Sequence, residues 1–76
     1  PNQEVCDMAR MDDEIYHAAN RKDYDTLREW RPHVLENMME HSYLIMDGVD
    51  VDINRVMLQQ LADMMMTIDT VLAEDK

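Results

Sequence analysis

The sequence is poor in the residues that end helices and in several that favour β-sheets. It contains one glycine, two prolines and no phenylalanine, against nine methionines. Glycine and proline interrupt helices, whereas methionine and other unbranched residues have high helix propensity. The composition therefore predicts an all-α fold and argues against β-sandwiches and β-barrels, whose strands favour aromatic and β-branched residues.

Cysteine and long apolar runs are scarce as well. Cys6 is the single cysteine, so no disulfide can form within the chain and a cytoplasmic, reducing setting is expected. The longest aliphatic runs are only a few residues, far short of the ~20 that a membrane span needs. No basic stretch leads into an apolar segment near the first residue, so we expect neither a signal peptide nor a membrane partner.

Positive charge is the third scarcity. Seven Lys and Arg residues stand against 17 Asp and Glu residues, which gives a net charge of −10. This sign opposes contact with the phosphates of DNA or RNA, so we expect no direct nucleic acid ligand. The bases are also unevenly spread, and we interpret the cluster between residues 21 and 31 as neutralising nearby acids. That cluster consists of Arg21, Lys22, Arg28 and Arg31.

The length of 76 residues allows a single domain, residues 1–76. Apolar residues at spacings of three and four predict a small compact bundle of three long helices and one short helix. Asn20 is predicted to stop the first helix, Pro32 to separate the second from the third, and Gly48 to cap the third in a left-handed conformation. Asp50 or Asp52 is predicted to cap the fourth. The predicted helices span residues 3–19, 23–30, 32–46 and 52–73.

The last helix carries the strongest apolar stripe, with spacings of four and three residues. No other predicted helix is as long, so part of the stripe should lack a cover within the chain. We therefore predict a homodimer built on this helix. In the preceding predicted helix, residues 32–46, we expect Leu35 and Met39 to belong to the inner face. The residues expected to mediate self-association are Met57, Leu61, Met64, Met65, Ile68 and Leu72.

Metal-binding and catalytic patterns are weak. Glu14 and His17 form one Glu-x-x-His pair, whereas di-iron bundles use two such pairs with further glutamates. Glu40 and His41 could supplement it, and whether these four residues bind a metal stays open. One glycine leaves no phosphate-binding loop. Four short helices also rarely enclose a substrate pocket. We predict no enzyme, no catalytic residues, no cofactor and no metal site.

The acidic surface is the main functional signal. Carboxylates fixed on helices can imitate a phosphate backbone and mask a basic, nucleic-acid-handling site on a partner protein, as an inhibitor of the DNA-mimic type would. Two alternatives stay open. The charge could serve solubility alone, or the chain could be a structural or assembly subunit whose methionine- and leucine-rich helix faces make the contacts. The acids expected to bind the partner are Asp12, Asp13, Asp47, Asp50 and Asp52.

Overall fold

The computed structural model describes the backbone of residues 3–75 and the side chains of residues 10–75, so the side chain of Cys6 lies outside the described part. Three α-helices make up the fold: α1 (Gln3–Arg21), α2 (Tyr24–Met46) and α3 (Val51–Leu72). No strand occurs between residues 3 and 75. The predicted all-α bundle is confirmed, and α1 and α3 lie within two residues of their predicted bounds.

α2 is one continuous helix that runs through Pro32. The predicted break at Pro32, and with it the separate short helix over residues 23–30, is therefore wrong. An interior proline removes one backbone hydrogen bond and crowds the carbonyl of Arg28, at a cost of about 3 kcal/mol. Leu27 and Val34, on either side of Pro32, are both fully buried in the same core. Burial of their side chains, about 1.5–3 kcal/mol each, offsets the cost of the proline.

Both connections between helices use a residue in the left-handed conformation. Gly48 has φ 75°, as predicted for the end of α2. At the end of α1 the left-handed residue is Lys22, with φ 59°, and not the predicted Asn20. There the amide of Asp23 donates to the carbonyl of Ala18 at 2.9 Å. This Schellman pattern satisfies the last carbonyls of α1 and fixes the left-handed residue at position 22.

α2 and α3 form an antiparallel hairpin, and α1 packs along one side of it. Arg31, early in α2, meets Asp69, late in α3, whereas His41 meets Asn54 at the other end. Met11 of α1 borders a depression of about 360 Å³ together with Trp30, His33 and other residues of α2. This arrangement places α1 on the side of α2 that carries His33.

The core contains residues from all three helices. α3 contributes the largest share, at spacings of three and four, and the apolar stripe predicted for it is confirmed as a buried face. Leu35 and Met39, predicted to face inward, are instead about half exposed. Successive residues of a helix point about 100° apart, so with Val34 directed into the core, Leu35 and Met39 lie at the edge of the buried face. The core residues are Ile15, Ala18, Ala19, Leu27, Val34, Leu61, Met64, Ile68 and Val71.

Candidate functional site

The basic cluster is neutralised where the C-terminal end of α3 passes the beginning of α2. The Nζ of Lys22 lies 2.7 Å from Oε1 of Glu74, and the Nε of Arg31 lies 2.8 Å from Oδ1 of Asp69. Arg28 pairs with Asp75 in the same region. The hydrogen bond that Lys22 donates to Glu74 raises the pKa of Lys22, and the bond that Arg31 donates to Asp69 raises the pKa of Arg31. The neutralising role predicted for these bases is confirmed.

Two further pairs hold the same end. Arg28 Nη1 also reaches Oδ1 of Asp25 at 3.1 Å, and Arg21 lies 3.7 Å from Asp23. All these side chains are exposed, so each pair adds little to stability. Their main effect is on the surface charge, because each pair places a positive charge beside a negative one, and the two offset each other at this end of the molecule. Several carboxylates make no ion pair within the described side chains: Asp12, Asp13, Glu14, Glu29, Glu36, Glu40, Asp47, Asp50, Asp52 and Asp63.

The three predicted partner-binding acids of the second connection lie together at the opposite end. Asp47 is the C-cap of α2, Asp50 is the N-cap of α3, and Asp52 lies in the first turn of α3. All three are exposed. Asp50 is left-handed, with φ 42° and ψ 51°, and its side chain makes no capping hydrogen bond. Of the two residues predicted to cap α3, Asp50 thus takes the N-cap position, but its side chain does not supply the expected capping hydrogen bond.

Asn54 takes over the stabilisation of this connection. It is only 5% exposed, and its Nδ2 donates to the carbonyls of Val49 at 2.8 Å and Asp50 at 3.1 Å. Its Oδ1 lies 2.6 Å from Nδ1 of His41. These bonds hold the backbone that carries the acids. Asn54 was missed in the sequence, although it precedes Leu61 by seven residues and so lies on the buried stripe.

The predicted acids of α1 differ from one another. Asp13 is exposed, but Asp12 is half-buried, which corrects the expectation that both point outward. Burial and then repulsion from Asp13 raise the pKa of Asp12. Of the two carboxylates, Asp13 is the more accessible to a partner. No described hydrogen bond or ion pair joins these two acids to the acids of the second connection.

The residues predicted to mediate self-association lie mostly inside the monomer. Leu61, Met64 and Ile68 are fully buried, because α1 and α2 cover them. Met57, Met65 and Leu72 are partly buried and pack against the same core. The part of the stripe formed by Leu61, Met64 and Ile68 is therefore covered within the chain, whereas Met57, Met65 and Leu72 keep some exposure. Self-association stays a prediction, and Met66, which is 67% exposed, is a further apolar residue available for it.

The possible metal ligands are dispersed. Glu14 and His17 border a shallow depression together with Asp13, Tyr16 and Asn20. His41 contacts Asn54, on the α2–α3 side of the bundle. Within the described residues, no three His, Cys, Asp or Glu side chains come together in a metal-binding arrangement.

Comparison with family models, with curated proteins and with solved structures gave no match in any of the three. Within the described residues, each helix is too short or too polar to cross a lipid bilayer. The candidate site consists of an acidic connection at residues 47–52, which Asn54 fixes, and lies opposite a neutralised end at residues 21–31 and 69–75.

Proposed function

We propose that the chain is a small acidic binding module that masks a basic site on a partner protein. The basic sites best suited to it are those with which proteins hold nucleic acid, so the module would act as an inhibitor of the DNA-mimic type. The observation that supports this is the separation of charge. Most bases are paired with acids at one end, and Asp13, Asp47, Asp50 and Asp52 make no ion pair with a described residue.

The backbone that carries these acids is well fixed. Asp47 and Asp52 belong to helix ends, and Asn54 bonds the carbonyls of Val49 and Asp50 within the connection. A basic partner would then meet negative charges at set positions, as it meets them on a nucleic acid. Each exposed charge contributes little alone, so binding would depend on these acids together, and salt screens all of them. Binding should therefore weaken steeply as the salt concentration rises.

The test compares the wild-type chain with a variant in which the five predicted acids become amides: Asp12→Asn, Asp13→Asn, Asp47→Asn, Asp50→Asn and Asp52→Asn. Each chain is immobilised and exposed to an extract of its native host at low salt. Bound proteins are then eluted with short duplex DNA. We expect the wild type to retain basic nucleic-acid-binding proteins that DNA releases, and the variant to retain at least tenfold less.

A matched control uses two double variants that each remove two charges. Glu14→Gln with Glu29→Gln changes acids outside the proposed site, and its retention of the same proteins is compared with that of Asp12→Asn with Asp13→Asn, which changes two acids of the site. Circular dichroism establishes that all variants keep their helices. The proposal fails if the five-amide variant retains the same proteins as the wild type, or if duplex DNA releases none of them.

A second candidate function is assembly through exposed apolar residues. Met39 and Met66 are 49% and 67% exposed, although both are large hydrophobic side chains. Such residues suit contact with another helix, since methionine adapts to many shapes. Sedimentation at rising concentration separates the two functions, because a subunit that assembles with itself will form oligomers without any partner.

A further inference from the structure

The outer side of the α2–α3 hairpin carries an apolar strip that none of the described helices covers. We call it the open face and define it by six residues: Leu35, Met39 and Met46 of α2, and Leu58, Ala62 and Met66 of α3. The hydrogen bond between Arg31 and Asp69 marks this side of the hairpin. Leu35 and Met39 follow Arg31 by one and two helical turns, and Leu58, Ala62 and Met66 precede Asp69 by whole turns. The residues therefore share one side.

α1 lies on the other side of α2. Met11 borders the same depression as His33 and Asn37. Leu35 is two residues from each of these, which at about 100° per residue turns it away from α1. The exposed fractions agree, with Leu35 at 46%, Met39 at 49%, Met46 at 78% and Met66 at 67%. A bundle of three helices thus leaves the position of a fourth helix empty.

Acids border the open face along both of its edges. Glu36 follows Leu35, Glu40 follows Met39, and Asp63 follows Ala62 in the sequence. All three are exposed and make no ion pair with a described residue. Arg55, three residues before Leu58, also lies on this side, and the three acids outnumber it, so the edges formed by these four residues have a net negative charge.

We propose that the open face binds an amphipathic helix of the partner whose apolar side is flanked by lysine or arginine. An apolar strip of Met and Leu between two acidic edges is complementary to such a helix. The strip from Leu35 to Met46 is about 16 Å long, enough for three turns of the bound helix. The inference rests on the proposed function, since it names the element by which a basic partner binds.

Charge decides between this occupant and a second copy of the chain. Two copies that met through their open faces would bring six carboxylates of Glu36, Glu40 and Asp63 close together, each chain having a net charge of −10. Like charges across an interface oppose association. A basic helix would instead pair with the same carboxylates.

The probe is a fluorescent peptide of about 15 residues that contains only leucine and lysine, ordered to form an amphipathic helix. A second peptide has the same composition in an order that leaves no apolar side. Binding is measured by anisotropy at low and at physiological salt. At physiological salt, we expect the wild-type chain to bind the amphipathic peptide at least tenfold more tightly than the second peptide.

Three variants locate the binding. Leu35→Ser, Met39→Ser and Met66→Ser together should weaken the amphipathic peptide at least tenfold. The matched control, Leu44→Ser, Ile53→Ser and Val56→Ser, changes exposed apolar residues elsewhere and should weaken it less than threefold. Glu36→Gln, Glu40→Gln and Asp63→Asn together should reduce the salt dependence of binding. This last variant leaves the apolar residues intact and tests the edges even if the serine variant fails to fold.

The outcomes separate the inference from the proposed function. If the wild type binds both peptides equally, and the serine variant binds as the wild type does, the open face is not the docking site, while masking by the acids still stands. If the wild type binds neither peptide at low salt, the proposed function fails as well. If the wild type sediments as a dimer that only the serine variant dissociates, the occupant is a second copy and the inference is wrong.

Discussion

His41 of α2 donates a hydrogen bond from Nδ1 to Oδ1 of Asn54 in α3, across 2.6 Å. The direction follows from the other bonds of Asn54, whose Nδ2 already donates to the carbonyls of Val49 and Asp50. Oδ1 must therefore accept, and the proton of His41 must be on Nδ1. This contact joins the two long helices at the end where the acids lie.

The first prediction concerns Asn54. Asn54→Ala removes two donors from backbone carbonyls and leaves the Nδ1–H of His41 without its acceptor. Leaving such partly buried groups unpaired costs about 1–3 kcal/mol. We expect the urea midpoint of unfolding to fall accordingly, as measured by circular dichroism.

Asn37→Ala is the matched control for that change. The Nδ2 of Asn37 also donates to a backbone carbonyl, that of His33 at 2.8 Å, but at the exposed surface. Its loss should change the free energy of unfolding by less than about 0.5 kcal/mol. Equal effects of the two alanine substitutions would contradict the role given to Asn54.

The second prediction is that Pro32→Ala stabilises the chain. Alanine restores an N–H for the carbonyl of Arg28 and removes the crowding of the proline ring, a gain of about 3 kcal/mol in a helix interior. Part of it is offset because the unfolded chain becomes freer without proline, by about 0.4–1 kcal/mol. We expect a net gain of about 2 kcal/mol in the free energy of unfolding.

Glu29→Ala, at another exposed site of α2, controls for helix propensity and should change that free energy by less than about 0.5 kcal/mol. If Pro32→Ala destabilises the chain, then Pro32 does not lie inside a continuous helix. In that case the helix break that the sequence predicted at Pro32 would be correct.

Pro32 also shows where the sequence stops predicting the fold. The rule that proline ends a helix is local, whereas the continuity of α2 depends on Leu27 and Val34 reaching one core. That core exists only when α1 and α3 are in place. By contrast, the left-handed conformation of Gly48 was predicted correctly, because glycine adopts it without the steric cost that a Cβ imposes, whatever the surrounding packing.

The candidate site shows the same division. The spacing of acids in the sequence identified Asp47, Asp50 and Asp52, and the structure brings them to one connection. The sequence alone could not show that Asp12 is half-buried, because its burial depends on packing between helices. Nor could it show that the bases of residues 21–31 meet Asp69, Glu74 and Asp75, which are about 40–50 positions away in the chain.

The third prediction concerns pH and the N-cap of α2. Hydrogen bonds from the hydroxyl and the amide of Thr26 lower the pKa of Asp23. A carboxylate whose pKa is lower in the folded state stabilises that state above its unfolded pKa, and the contribution is lost as pH falls through the folded pKa. Asp23→Ala should therefore lower the urea midpoint at neutral pH, and its effect should shrink below about pH 4, where aspartate begins to be protonated.

Asp23→Asn keeps a capping oxygen without the charge and should lose less at neutral pH than the alanine variant does. Its urea midpoint should also depend less on pH than that of the wild type. An effect of Asp23→Ala that stays constant from neutral pH to pH 2 would show that the ionised carboxylate plays no part in the cap.

The fourth prediction tests whether the apolar stripe of α3 is core or interface. Leu61 is fully buried within one chain, so Leu61→Ala should cost about 2–5 kcal/mol through the cavity that it leaves. Met66→Ala, five residues further along α3 and exposed, should cost less than about 0.5 kcal/mol.

The decisive measurement is the thermal midpoint of the wild type over a hundredfold range of protein concentration. If Leu61 is core and the chain is a monomer, the midpoint stays constant, because unfolding involves one chain. If the stripe were a dimer interface, the midpoint would rise with concentration, since association stabilises the folded form by mass action. In that case the buried position of Leu61 would be wrong, and Leu61→Ala would remove the concentration dependence.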